Sequence, residues 1–273
     1  MDIISDRLNE EEYGFIFHWL RDNRRYDLIE LKYIPEFTPN FDLGKNDIAV
    51  LSVCPEIMSD TYDLVRSNHY AKSLRRNLRR KQNKIKREGI DLTRTCLVSN
   101  QILDRFEEIK EVSMSKELSS KQCIYRNSRI EDFVKDLIKS YLENAMCFFV
   151  DHKSKAVAYK LGIRVGERYY DWDAAYSRNE KELESLSLGN LDSDYAIRYL
   201  FNMGTRNFCF GPGADFHKLG FSKQIVKIYT LLKKGNTSKA GPLCIIKKRK
   251  NRRIEKIFNN ELKRNLKRGQ KRI

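Results

Sequence analysis

The 273-residue sequence predicts an α/β (α+β) protein with a mixed, largely antiparallel central sheet flanked by helices. Three observations predict it. Short apolar runs bounded by turn residues have the length and composition of strands. Other apolar residues recur every three or four positions, the period of helices. From residue 91 the order is strand, two helices, three-strand meander, helix, strand, strand. That order holds too few parallel crossovers for a doubly wound sheet.

Taken along the chain, Phe15, Ile16, Trp19 and Leu20 have helical spacing, and Leu28–Leu31 is strand-like before a Pro35/Pro39 loop. Ile48–Val53 is a strand stopped by Pro55, and a helix runs from Ser59 or Asp60 to Gly89. Leu74, Leu78 and Ile85 form its apolar face. Asp91–Val98 is a strand. Two helical stripes follow: Ile102, Phe106, Ile109 and Val112, then Ile130, Phe133, Val134, Leu137, Ile138, Tyr141 and Leu142. Met146–Val150, Ala156–Val165 and Arg168–Tyr176 make the meander. A helix Leu191–Met203, a short strand Asn207–Phe210, a GPGADFHKLG loop and a strand Gln224–Leu232 complete the core of the chain.

Two loops carry candidate chemistry. Ser185–Leu191 leads into a helix, whose start offers unpaired N–H groups and partial positive charge to an anion. Gly189 admits close approach there, and Ser187 or Asn190 adds a polar contact; equally, such a turn is a common helix cap. In the GPGADFHKLG loop, Asp215, His217 and Lys218 place an acid, a base of near-neutral pKa and a cation within four residues. His217 is either a proton carrier or an ordinary loop histidine.

The formal charge is +16 and is segregated. Lys72–Arg87 holds nine basic residues and no acid; Lys247–Arg272 holds thirteen against Glu255 and Glu261. Either these lysines and arginines solubilise two exposed helices, or the basic helix 72–87 and tail 247–272 meet an anionic partner: phosphate, RNA or a lipid surface. The tail carries Ile254, Phe258, Leu262 and Leu266 at four-residue spacing, a narrow apolar stripe that an interfacial helix would also need. Six cysteines lack a CxxC pair and the four histidines are dispersed, so no metal site is expected. Neither a signal-peptide pattern nor a transmembrane run is read, which predicts a cytoplasmic protein able to rest peripherally on the inner membrane surface.

LRRNLRRKQNKIKREG at 74–89, the two-helix block, the meander, Ser187-Leu188-Gly189 and FCFGPGADFHK at 208–218 together resemble the GNAT-like acetyltransferases of the CelD or BioF2-like type. These are related to the FemAB aminoacyltransferases. The resemblance covers roughly residues 15–235. Where that family carries Ser-Pro-Gly this chain has Ser-Leu-Gly; Cys209 replaces an aspartate and His217 a tyrosine.

The resemblance implies a GNAT-like acyl-CoA N-acyltransferase fold. Residues 1–89 would be a partial N-terminal GNAT-like segment, 90–235 the acyltransferase domain and 236–273 a basic helical tail. It implies acetyl-CoA or another acyl-CoA as co-substrate, with the diphosphate on Ser187, Leu188, Gly189, Asn190 and Leu191. A small-molecule or carrier-linked amine would be the acceptor, of an amino sugar, peptide or envelope precursor. Asp171 and Asp173, expected on one strand face, would hold or deprotonate the amine, unless they are solvent-facing charges. Tyr176 would serve as acid, with His217 and Lys218 in the catalytic loop. Two rival readings stand: a FemAB-type transferase taking its acyl group from aminoacyl-tRNA, or a non-catalytic basic adaptor for nucleic acid or membrane.

Overall fold

The structure, a computed structural model, describes residues 28–35, 48–116, 124–177, 180–213 and 215–234, with isolated positions 249, 260 and 263. The Phe15–Leu20 stripe, Pro39, Cys123, Cys244 and the rest of the basic tail lie outside the described residues. Two compact units divide the chain, Met1–Glu56 with Pro212–Ile273, and Ile57–Gly211. The first opens with β1 (Leu28–Pro35) and β2 (Ile48–Met58), which runs through Pro55 instead of stopping there.

In the second unit the single helix expected up to Gly89 is three pieces. The Thr61 hydroxyl accepts from the Leu64 N–H at 3.3 Å and caps one turn, α1 (Tyr62–Leu64). A π-turn follows over Val65–His69, and the chain extends at Tyr70 and Ala71 before α2 (Lys72–Glu88). Burial accounts for the break. Val65 and Tyr70 are both in the core, and on a regular helix residues five apart point about 140° away from each other. On α2, Leu74 and Leu78 are buried, and left-handed Gly89 ends the helix as expected, its N–H on the Ile85 carbonyl.

Next come β3 (Thr93–Val98), α3 (Asn100–Asp104), α4 (Phe106–Lys116) and α5 (Ser128–Tyr141). The meander is β4 (Ala145–His152), β5 (Lys155–Val165) and β6 (Arg168–Tyr176). The predicted stripes meet it. Ile102, Phe106, Ile109, Val112, Val134 and Ile138 pack with Cys147, Phe149, Tyr159, Leu161 and Ala175 in one apolar cluster. Phe133 and Leu142 do not join it and are exposed. Arg105, between α3 and α4, hydrogen-bonds Glu108 and Asp151 and stacks 4.2 Å from the Phe149 ring centre.

The unit closes with α6 (Lys181–Glu184), α7 (Leu188–Asn202) and β7 (Asn207–Cys209). Its strands run β7-β6-β5-β4-β3. Only β6–β7 is parallel; the other pairs are antiparallel. In the first unit the loop expected over GPGADFHKLG carries a helix, α8 (Phe216–Phe221), and β8 (Gln224–Lys234) pairs antiparallel with both β1 and β2. Among the described residues no helix is long and apolar enough to cross a membrane.

Candidate active site

The geometry turns on an extra residue in β6. Leu161 pairs with Asp173 but Gly162 pairs with Asp171, so Trp172 has no partner and forms a bulge. Gly162 is required opposite it, since a Cβ there would lie 2.3 Å from the Tyr170 carbonyl oxygen and 2.4 Å from the Tyr169 ring. The bulge overturns the expectation that Asp171 and Asp173 share a face. The Asp171 carboxylate accepts from Lys160 Nζ at 2.6 Å, and both side chains are nearly inaccessible. Asp173 Oδ2 accepts from the Tyr125 and Tyr159 hydroxyls, each at 2.6 Å. Lys160 and Tyr159 are adjacent on β5 and point oppositely. Burial and the neighbouring Asp173 charge push the pKa of both tyrosines well up, so their protons stay on the phenols.

At the same place β6 leaves β7. Parallel pairing covers Arg168–Tyr170 with Asn207–Cys209 and ends there, while β6 runs on to Tyr176. Gly211, at φ +70°, passes against the bulge: a Cβ would lie 2.9 Å from the Asp171 carbonyl oxygen. From Asp171 to Tyr176 the strand extends roughly 17 Å at about 3.3 Å per residue. Its far end meets α7, where the Tyr176 ring lies 3.5 Å from the position of a Cβ on Gly189.

The start of α7 is uncapped. Ser187 sits at φ +58°, a left-handed conformation that non-glycine residues adopt at a cost, and its side chain makes no cap hydrogen bond. The Asn190 and Leu191 N–H groups both reach the Ser187 carbonyl, at 2.9 and 3.3 Å. Among the described residues the Leu188 and Gly189 N–H groups donate to nothing. Two lysines of α2 flank this turn: Lys84 Nζ donates to Ser185 Oγ at 2.7 Å and Lys81 Nζ to the Ser185 carbonyl. Burial, then neighbouring Arg80 and Lys84, lower the Lys81 pKa. An anion at the helix start would therefore meet bare amides, a helix dipole and two cations.

Deeper in α7, Asp192 is buried and its Oδ1 has no hydrogen-bond partner. Burial pushes its pKa up to about 7, with Asp171 adding to the rise and Lys160 and Arg94 opposing it. Asp194, two residues on and so on the opposite side of the helix, accepts from the Tyr62 hydroxyl at 2.6 Å and ties α7 to α1. His217 and Lys218 lie on α8 of the first unit. His217 is exposed, and Lys218 Nζ donates to the Pro212 carbonyl at 3.0 Å. His152, Glu180 and Glu182 bring possible metal-ligand atoms within 4.8 Å of one another. There the imidazole is already held by Glu182 and the Asp91 carbonyl, and Lys153 neutralises Glu182.

Sequence reasoning missed Lys160, Asp192, Tyr125 and Tyr159, and did not single out Lys81 and Lys84 within the basic run. A lone lysine inside the apolar run AVAYKLGI was the available signal for Lys160, because a mid-strand charge flanked by core residues needs a buried partner.

A family model described as an acetyltransferase (GNAT) domain matches residues 72–219, more than half of the chain. None of the proteins of curated function matches the sequence. Among solved structures, the chain is similar to the C-terminal domain of a putative lysylphosphatidylglycerol synthetase from Agrobacterium fabrum. That likeness has TM-score 0.59 at 12% identity over 87% of this chain and 77% of that one. FemX gives 0.55 at 11% identity, covering 88% and 80%. L-PGS from Bacillus licheniformis gives 0.52 at 14% identity, covering 86% and 76%. At such identities these likenesses speak for the fold alone.

Proposed function

The chain belongs to the GNAT acetyltransferase family, and on that premise we propose that it moves an acyl group from acyl-CoA, acetyl-CoA foremost, to an amine. The observation that carries this reading is the uncapped start of α7 at the far end of the β6 edge. The diphosphate would rest on the Leu188 and Gly189 amides. The pantetheine arm would follow β6 back to the bulge, a distance of roughly 17 Å that an extended arm spans. There the amine nitrogen attacks the thioester carbon, the C–N bond forms, and the C–S bond breaks. The ammonium proton passes to water or a base, and the thiolate takes up a proton. Main-chain N–H groups of β6 would stabilise the oxyanion.

Among the residues expected to be catalytic, Asp171 and Asp173 are committed to Lys160 and to two tyrosines, which supports assigning them to shaping the bulge. Tyr176, packed on Gly189, belongs with the diphosphate and not with the sulfur. His217 and Lys218 stay in the proposal through the resemblance of their loop alone. The CelD/BioF2-like subtype and an envelope or exopolysaccharide acceptor remain part of the proposal, as does cytoplasmic location.

Calorimetry with CoA tests the reading. Wild type should bind it, and Gly189→Glu should not, at unchanged melting temperature, because the glycine's surroundings leave ordinary room for a side chain. Equal CoA affinity in the two proteins would sink the assignment.

A further inference from the structure

On the side of α2 away from the Ser185 turn lies a second basic site. An open concavity of about 610 Å³ is walled by Arg66 on the π-turn and by Lys72, Arg75, Arg76 and Arg79 on α2. At 100° per residue the four α2 cations occupy one stripe about 100° wide, and Lys81 and Lys84 lie roughly 130–170° around the helix from its centre. The groove is therefore separate from the turn assigned to the CoA diphosphate.

Its chemistry is unusually one-sided. Asp63 is the single acid in the lining and Ser67 adds a hydroxyl. Among the described residues none of the five cations makes an ion pair. Lysines elsewhere on the same helix do find partners: Lys84 meets Glu88 at 3.5 Å. Five positive charges held around one concavity repel each other, and that cost is relieved by a ligand of matching opposite charge.

The break at Tyr70 and Ala71 makes the groove. A continuous helix would carry Arg66 and the α2 stripe along one rod; the extended pair lets the chain fold Arg66 and Ser67 across from it. Val65 and Tyr70, buried on either side of Arg66, fix that wall in place.

We infer that this groove binds a ligand ending in two or three consecutive phosphate groups with the terminal phosphate free, unlike the doubly esterified diphosphate of CoA. Three features select that class. The volume is that of a small-molecule site. No aromatic side chain lines it, so bases of a nucleic-acid strand have no stacking platform there. No apolar side chain lines it either, whereas a bilayer interface needs an apolar face. Arginine supplies four of the five cations, and its planar fork grips phosphate oxygens in pairs.

Calorimetry on the full chain tests this with inorganic tripolyphosphate, ATP, a single-stranded RNA oligomer and phosphatidylglycerol vesicles. Tripolyphosphate should bind one per chain. Arg75→Glu/Arg76→Glu should weaken it by about tenfold or more, while leaving CoA affinity unchanged. ATP sharing that loss identifies a nucleotide as the source; tripolyphosphate alone sharing it identifies an inorganic oligophosphate. Should the double reversal fail to fold, Lys72→Gln/Arg79→Gln serves instead, with a smaller loss in the same direction. The inference is overturned by no tripolyphosphate binding, by affinity indifferent to both variants, or by displacement of tripolyphosphate by CoA. Groove-dependent binding of RNA or vesicles alone overturns it too. Failure of CoA to bind while tripolyphosphate does would count against the acyl-CoA reading only.

Discussion

Asp171 and Asp173 stand two residues apart on one strand, yet their carboxylates serve opposite faces of the sheet. The bulge at Trp172 turns one toward Lys160 and the other toward Tyr125 and Tyr159. Each carboxylate is thereby an anchor on its own face, and the bulge between them is pinned from both sides. A ligand running along the β6 edge would meet a main chain that cannot flatten.

Asp173 should act on stability. Asp173→Ala leaves two phenols of the apolar cluster without their acceptor, at about 1–3 kcal/mol for each unsatisfied hydroxyl. Tyr125→Phe and Tyr159→Phe remove a donor and should each cost about 1 kcal/mol. Urea unfolding of the three variants checks the order. Full stability in Asp173→Ala combined with lost turnover would return the residue to the catalytic list.

Lys160 and Asp171 form a nearly inaccessible pair at 2.6 Å, with buried Asp192 close enough to feel both. Lys160→Met strands two carboxylates and should lose about 3–5 kcal/mol. Adding Asp171→Leu should recover much of that loss, as apolar replacements of whole buried pairs tend to. A double-mutant cycle in denaturant measures the coupling; additive losses would show that the two side chains act independently.

Most of the architecture was legible because it rests on periodicity. The stripes Ile102–Val112 and Val134–Ile138 found their cluster, the three meander strands fell where alternation put them, and Gly89 closed its helix. What escaped were events that break a period. A single inserted residue, Trp172, reversed the face of Asp171 relative to Asp173, and no spacing rule signals a bulge that the missing Cβ of Gly162 on the neighbouring strand accommodates. The π-turn hid for the same reason, since burial of both Val65 and Tyr70 shows only in three dimensions. The phosphate turn was readable as a helix start, but its flanking lysines come from about a hundred residues earlier.

Asp192 should make stability depend on pH. Its folded pKa, about 7, lies above the ordinary 3.8, so between those values the native state holds more protons than the unfolded chain. Stability attributable to the protonated side chain is complete below about 3.8 and is lost as pH rises through 7. Asp192→Asn, which cannot ionise, lacks this decline. Unfolding free energies across that range should therefore converge or cross for wild type and variant at low pH and separate in the variant's favour toward neutrality. Parallel curves would mean that Lys160 and Arg94 hold the carboxylate ionised throughout.

The lysines of α2 offer the sharpest kinetic prediction. Lys81 and Lys84 are fastened to Ser185, one turn before the bare amides of Leu188 and Gly189. Their charges add to the helix dipole only for a ligand that brings an anion to that end. Lys81→Ala/Lys84→Ala should therefore raise KM for acetyl-CoA about tenfold, the order of one lost charge-assisted contact, and leave kcat near wild type. Acetyl-pantetheine carries the same thioester on the same arm without the diphosphate. Its kcat/KM should be the same in wild type and variant, because the lysines have nothing to hold. An equal loss for both donors would mean that the lysines support the fold of the turn, and a loss in kcat alone would move them to the reacting end of the strand.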